Sequence, residues 1–208
     1  MQTPEVAVFD LGKVLVDFDY GIAIKKIAAR CPNGRCDLDR LLHESTLLSR
    51  YETGQLSTSA FYLEARAASG FAGNEEEFGE LFGDIFSPMQ PMIDLHGELR
   101  RRGVPTYIFS NTNELAVRHI RRRFPFFSTF TGYVLSYEHG SMKPEAKIYD
   151  VVEAQTGKRG GQIVYLDDRP ENVAAGSARG WQTILHQEFP TSRAALAAMG
   201  LMGVSGLK

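Results

Sequence analysis

The chain has little of what marks the specialised classes of protein. Only two of its 208 residues are cysteine, too few for the disulfide framework of a small secreted fold, and no histidine stands near them to complete a zinc site. Cys31 and Cys36 flank a Pro-Asn-Gly-Arg turn, a spacing that can close a small loop; free thiols in a reducing compartment are the expected state. An excess of charge of either sign is missing as well. The formal net charge of -2 gives no reason to expect nucleic acid or an anionic membrane as partner. Two arginine clusters, Arg100 to Arg102 and Arg121 to Arg123, each fall near the end of a helix-like segment, where cations suit the helix dipole. No apolar run approaches membrane-spanning length, and no basic-then-apolar leader precedes the first strand, which begins almost at once and contains Glu5. A cytoplasmic protein, monomer or homodimer, is expected. Internal repeats and low-complexity tracts are also lacking.

What is present is an ordinary globular composition, 43% hydrophobic and 23% charged, on a chain long enough for a substantial core. From about residue 88 onward, short apolar runs alternate with amphipathic stretches, the rhythm of a parallel sheet with crossover helices. Strands are expected at 6–10, 105–110, 132–135, 163–167 and 182–185, and helices over 93–102, 114–124 and 144–156, the last opening on Pro144. Residues 17–87 break that rhythm. They hold no convincing buried strand and read as several helices joined by Pro-Asn-Gly and Glu-Thr-Gly-Gln turns. The expected fold is therefore α/β: a Rossmann-like three-layer core built from 1–16 and 88–208, with a small helical cap, 17–87, inserted after the first strand. An insertion there emerges at the carboxyl edge of the sheet, where open α/β folds bind ligands.

The chemistry-bearing residues fall at strand ends. Asp10 closes the run Val6-Ala7-Val8-Phe9, Ser110-Asn111 ends Tyr107-Ile108-Phe109, and Asp167-Asp168 ends Ile163-Val164-Tyr165-Leu166. Lys143 stands immediately before Pro144, at the start of a helix, where a cation is unfavourable unless an anion meets it. Alone, each has a structural explanation as turn former or helix cap. In a parallel sheet all of them share one edge, and three converging carboxylates repel one another unless a cation binds among them. Mg²⁺, which takes carboxylates, waters and a substrate phosphate, is the simplest answer, with Lys143, the Ser110 hydroxyl and N–H groups near Asn111 as donors to the phosphate.

In order and spelling these motifs resemble the haloacid dehalogenase superfamily of phosphohydrolases. The resemblance runs from Phe9-Asp10-Leu11-Gly12 through Ser110-Asn111-Thr112-Asn113 and Lys143-Pro144-Glu145 to Asp167-Asp168 and Asn172. The wording looks like the glucose-1-phosphatase-type branch, with the phosphatase domains fused to epoxide hydrolases close in appearance. It implies that Asp10 attacks phosphorus to form an aspartyl-phosphate. It further implies that Asp10, the Gly12 carbonyl and Asp168 hold Mg²⁺, with Asp167 acting through water or orienting the others, and that Ser110 and the Asn111 backbone bind the phosphoryl group. Lys143 would neutralise nucleophile and phosphate, and Asn172 would anchor Lys143 or the acidic loop. The implied substrate is a small phosphomonoester, possibly of a sugar.

Two positions depart from the family pattern. Gly12 stands where most phosphatases of the superfamily carry an aspartate that protonates the leaving oxygen, a loss worth on the order of 10²–10⁴ in rate. Substrates whose leaving oxygen is already a weak base are then expected to be favoured. Lys13 is the second oddity: its ammonium either reaches the leaving oxygen or pairs with Asp17 or Asp19, the second being expected. For substrate contacts from the insertion, the candidates are Phe18, Tyr20 and the Arg50-Tyr51-Glu52 stretch, with Tyr20, Arg50 and Tyr51 foremost. Two other functions remain open: a metal-independent dehalogenase, which shares fold and nucleophile, and a non-catalytic phosphosugar-binding or interaction module.

Overall fold

The structure is a computed structural model and describes residues 2–32 and 37–203. Cys36 lies outside the described residues; Cys31 is buried, its Sγ directed to the Ile27 carbonyl at 3.3 Å. Five parallel strands form the main sheet: β1 (Val6–Phe9), β4 (Thr106–Ser110), β5 (Gly132–Leu135), β6 (Ile163–Asp167) and β7 (Gln182–Leu185). Their order is β5-β4-β1-β6-β7, every neighbouring pair parallel. These are the five expected strands, β1 ending one residue earlier and β4 starting one residue later than expected.

The apolar runs are continuous rather than alternating because both faces of the sheet are covered. Successive residues point to opposite faces. Ala7, Phe9, Ile108, Val164 and Leu166 join a core with Met92, Leu95 and Leu99 of α6 (Gln90–Arg101), Val117 and Ile120 of α7 (Glu114–Arg123) and Leu196 of α11 (Phe189–Ala198). Val6, Val8, Phe109, Ile163 and Tyr165 face the other way, onto Ile148, Tyr149 and Val152 of α9 (Ala146–Thr156) and onto Trp181, which follows α10 (Pro170–Ala178). The arginine clusters do end α6 and α7, where Arg122 pairs with Glu80 and Arg102 with Glu98. The short α8 (Ser136–His139) follows β5, and α9 starts at Ala146, two residues later than the sequence pattern indicates, with Glu145 at its cap.

Residues between β1 and β4 hold a structure the sequence reading missed. Strand β2 (Val16–Phe18) pairs antiparallel with β3 (Phe86–Pro88), and the expected boundaries at 16/17 and 87/88 both fall inside this ribbon. Each strand is only three residues long, too short for an alternation such as Val-Asp-Phe to stand out, so pairing over this distance leaves no local signal. Between the ribbon strands run α1 (Tyr20–Ala28), α2 (Leu38–Glu44), α3 (Leu47–Glu52), α4 (Thr58–Ser69) and α5 (Glu75–Gly83). They bury a separate core, rich in aromatics: Tyr51 stacks on Phe61 at 4.3 Å, and Phe61, Phe71 and Tyr62 pack around Phe78. Side-chain caps start three of these helices, α1, α4 and α5: Asp19 accepts from Gly21 N–H, Ser57 from Ala60 N–H and Asn74 from Glu77 N–H. No helix among the described residues is long and apolar enough to cross a membrane.

His96 sits inside the main core, stacked on Phe130 at 3.8 Å and bonded through Nε2 to Thr106 Oγ1 at 3.0 Å. Burial, with Arg100 nearby, pushes its pKa down from 6.5 to about 4. Between those values the unfolded chain binds a proton that the native protein refuses, so the stability contribution is complete above pH 6.5 and is lost as pH falls toward about 4. Replacing it, His96→Leu, is expected to flatten the acid-side fall of the urea midpoint across that window. Equal slopes for variant and wild type would show that His96 does not stay neutral in the fold.

Candidate active site

Strand β1 lies between β4 and β6, the point at which the chain order of the sheet reverses, and ligands in such sheets bind outside the strand ends at that point. The carboxyl ends of these strands deliver Asp10, Ser110 and Asp167. A cleft of about 270 Å³ opens there, lined on the sheet side by Asp10, Leu11, Gly12, Ser110, Asn111, Thr112, Lys143 and Asp168.

Lys143 is the hub. Its side chain is 1% exposed, and its three donors are all used: Asp10 Oδ1 at 2.9 Å, Asp167 Oδ2 at 2.7 Å and the Phe109 carbonyl at 2.8 Å. The rings of Phe109 and Tyr165 flank the ammonium at 5.0 and 5.8 Å. Asn111 fixes the backbone at this point, accepting from Lys143 N–H at 2.7 Å and donating to its carbonyl at 2.9 Å. Burial alone lowers a lysine pKa, but the two carboxylates outweigh it and Lys143 is raised, hence charged.

The three carboxylates are not equivalent. Asp167 is fully buried and its oxygens are taken up by the protein: Lys143, the Tyr165 hydroxyl, the Arg169 N–H at 2.9 Å and Asn172 Nδ2 at 3.0 Å. Burial raises its pKa; the Lys143 charge and these bonds overcome that and hold it below the usual range. Asp167 therefore orients Lys143, and Asn172 anchors the acidic loop rather than the lysine. On Asp10, both hydrogen bonds fall on Oδ1, from Leu11 N–H at 2.7 Å and from Lys143. Burial pushes Asp10 up to about 7 against the pull of Lys143, and burial with the Asp167 charge raises Asp168.

Carboxylate oxygens of Asp10, Asp167 and Asp168 lie within 4.8 Å of one another. The donor set fits a hard divalent cation. It consists of oxygens only, it carries more negative charge than Lys143 neutralises, and no hydrogen bond among the described residues ends on the Gly12 carbonyl beside it. On Asp10, Oδ2 carries no protein hydrogen bond among the described residues, whereas the oxygens of Asp167 are engaged by Lys143, Tyr165, Arg169 and Asn172.

The other wall belongs to residues of the 17–87 segment: Phe18, Tyr20, Leu48, Glu52 and Phe86. Tyr20 is brought to the cleft as the sequence indicates; Arg50 and Tyr51 are not. Arg50 turns outward to a bidentate pair with Glu64 at 2.9 and 3.1 Å. Tyr51 is buried, its hydroxyl bonded to Thr58 Oγ1 at 2.8 Å and accepting from Leu115 N–H at 3.1 Å. Helix geometry explains the difference. On α3, Leu47 and Tyr51 share the face turned to the helical core, while Leu48 and Glu52, also four apart, share the face turned to the cleft. That 48/52 register was readable once 47–52 was taken as helix. Lys13, at the cleft rim, is paired with Asp17 and donates to the Phe18 carbonyl at 3.0 Å, as the simpler expectation had it.

With this geometry in view, the chain's relatives are informative. Residues 4–180 match the haloacid dehalogenase-like hydrolase family, and the chain belongs to it. A sesquiterpene phosphatase of Aspergillus oryzae is 26% identical over 86% of this chain and 87% of its own length. A D-ribitol-5-phosphate phosphatase of Bacteroides thetaiotaomicron is 27% identical over 85% and 88%. Among solved structures, a HAD-family enzyme of B. thetaiotaomicron in complex with magnesium and inorganic phosphate superposes with a TM-score of 0.78 at 20% identity, covering 88% of this chain and 94% of that one. That likeness establishes the fold.

Removing the hub cation leaves Asp10 and Asp167 buried without their partner. Lys143→Met is expected to cost about 3–5 kcal/mol in urea denaturation at neutral pH with EDTA present. A loss below about 1 kcal/mol, the range of exposed pairs, would contradict the description of this triad as a buried ion network.

Proposed function

We propose that the protein is a Mg²⁺-dependent phosphatase that hydrolyses a small phosphomonoester through a phosphorylated Asp10. The observation that carries this reading is the convergence of Asp10, Lys143, Ser110 and Asp168 on one cleft at the switch point of the sheet. Asp10, Asp168 and the Gly12 carbonyl hold Mg²⁺, which supplies positive charge against the phosphate oxygens when bound. Lys143 and the Leu11 N–H hold Asp10 by Oδ1 and so orient its carboxylate, of which one oxygen would serve Mg²⁺ and the other attacks. That oxygen forms a bond to phosphorus as the bond to the leaving oxygen breaks, and water then cleaves the acyl phosphate and returns the carboxylate. Ser110 Oγ and the Asn111 backbone bind the transferring group, so most of the rate comes from positioned charge and hydrogen bonds.

The segment 17–87 acts as a cap that closes the cleft and selects the organic part of the substrate. Two relatives named as phosphatases support the reaction class; one is named for a terpenoid and the other for a polyol phosphate, so the element they share is the phosphate. The cleft wall itself is mixed, with Phe18, Tyr20, Leu48 and Phe86 apolar or aromatic and Glu52 the carboxyl among them.

A screen of sugar, polyol and aryl phosphates with Mg²⁺ is expected to find release of inorganic phosphate that EDTA abolishes and that Asp10→Asn lowers by at least about 10³-fold, the scale of losing a covalent nucleophile. Equal release by Asp10→Asn would remove the assigned nucleophile. Halide release from a 2-haloacid, unaffected by EDTA, would establish the dehalogenase reading instead.

A further inference from the structure

We propose that Glu52 is the proton donor to the leaving oxygen, taking the place of the acid that position 12 lacks. The proposal rests on the phosphatase reading of the Asp10 cleft and specifies how that cleft departs a basic alcohol.

Position 12 is closed to a carboxylate. A Cβ built on Gly12 comes 2.7 Å from Phe18 Cε1, and Phe18 is itself held between Tyr20 at 5.6 Å and Phe86 at 6.0 Å. An aspartate there would have to displace an aromatic that forms the cleft wall. Lys13, the other candidate, has its ammonium engaged by Asp17 and the Phe18 carbonyl. Of the carboxyl groups lining the cleft, Asp10 and Asp168 belong to the nucleophile and the cation, and Glu52 is the one that remains.

Glu52 lines the same cleft as Asp10 from the 17–87 segment, and the organic part of a phosphomonoester bound at Asp10 has to occupy that cleft. Its backbone is pinned to the sheet side of the molecule. The Ser136 hydroxyl donates to the Glu52 carbonyl at 2.6 Å and accepts from Thr112 N–H at 2.9 Å, tying α3 to the loop that carries Ser110 and Asn111. Two residues on, Gly54 takes φ +70° so closely against Tyr137 that an added Cβ would fall 2.1 Å from its carbonyl oxygen. These ties hold the end of α3, and with it Glu52, to the same loops that carry the phosphate-binding residues.

Its carboxyl is surrounded in a way that suits a proton donor. Tyr20 Oη lies 3.4 Å from Oε1, Arg169 approaches from the loop after β6, and Asn113 of the α7 cap lies alongside. Burial raises Glu52 to about 7, the Tyr20 bond and the Arg169 charge opposing it, so the acid is substantially protonated near neutrality. The steps balance. Asp10 forms the O–P bond, the P–OR bond breaks, and the Glu52 proton passes to RO, leaving ROH and a Glu52 carboxylate. The carboxylate then takes a proton from the water that attacks the aspartyl-phosphate, giving inorganic phosphate, free Asp10 and protonated Glu52. An enzyme so equipped is not confined to weakly basic leaving groups, contrary to the expectation from Gly12 alone.

The test is a leaving-group series. Single-turnover phenol release, with enzyme in excess and Mg²⁺ present, isolates the first displacement for p-nitrophenyl and p-methoxyphenyl phosphate. In Glu52→Gln the p-nitrophenyl rate is expected to stay within about threefold of wild type, because that leaving group needs no proton, while the p-methoxyphenyl rate falls at least roughly 10²-fold. Equal losses on both substrates, a change in KM alone, or no loss on either would overturn the proposal. So would Lys13→Met producing the leaving-group dependence while Glu52→Gln does not. Wild-type protein that releases no phosphate from any ester would instead remove the phosphatase reading, and the proposal with it.

Discussion

One buried cation organises this molecule. Lys143 spends its three donors on Asp10, Asp167 and the Phe109 carbonyl, and thereby ties the ends of β1, β4 and β6 to the loop ahead of α9. Burying such charges is costly and repaid only where geometry and additional hydrogen bonds complete the network. Here they do: Asn111 clamps the lysine backbone, and Tyr165, Asn172 and the Arg169 N–H complete Asp167. The negative charge left over, on Asp10 and Asp168, faces the cleft. Chemistry is placed where the structure is electrostatically incomplete.

The other wall of the cleft has a different physical origin. The helices between β2 and β3 bury their own aromatic core, and what they present to the cleft is the remainder of their surface. Ser136 and Tyr137, just past β5, hold the end of α3 against the sheet side. A helical layer packed on itself can diverge in what it shows a substrate without disturbing the Lys143 network.

Much of the architecture was legible. Strands buried on both faces read as continuous apolar runs, so their ends, and the acidic and hydroxyl residues carried there, could be located without coordinates. The β2–β3 ribbon was not, because strands of three residues are too short for a period to register. Arg50 and Tyr51 were misplaced for a related reason: choosing by residue type favoured an arginine and a tyrosine, whereas the cleft is met by the 48/52 face of α3. For Asp167, read from the sequence as acting through water or orienting the others, the hydrogen bonds from Lys143, Arg169 and Asn172 are contacts that pairing in sequence does not disclose.

By itself, the order of residues determined the doubly covered parallel sheet, the family, and the identity of the groups at its carboxyl edge, since all three follow from local periodicity and from motifs at strand ends. Tertiary structure alone decided which carboxylates line the cleft and which is taken up by the protein, that Phe18 fills the space beside Gly12, and that Glu52 rather than Arg50 lines the cleft with Asp10. Those outcomes depend on distances between segments far apart in the chain, set by how the helical layer and the sheet close on each other.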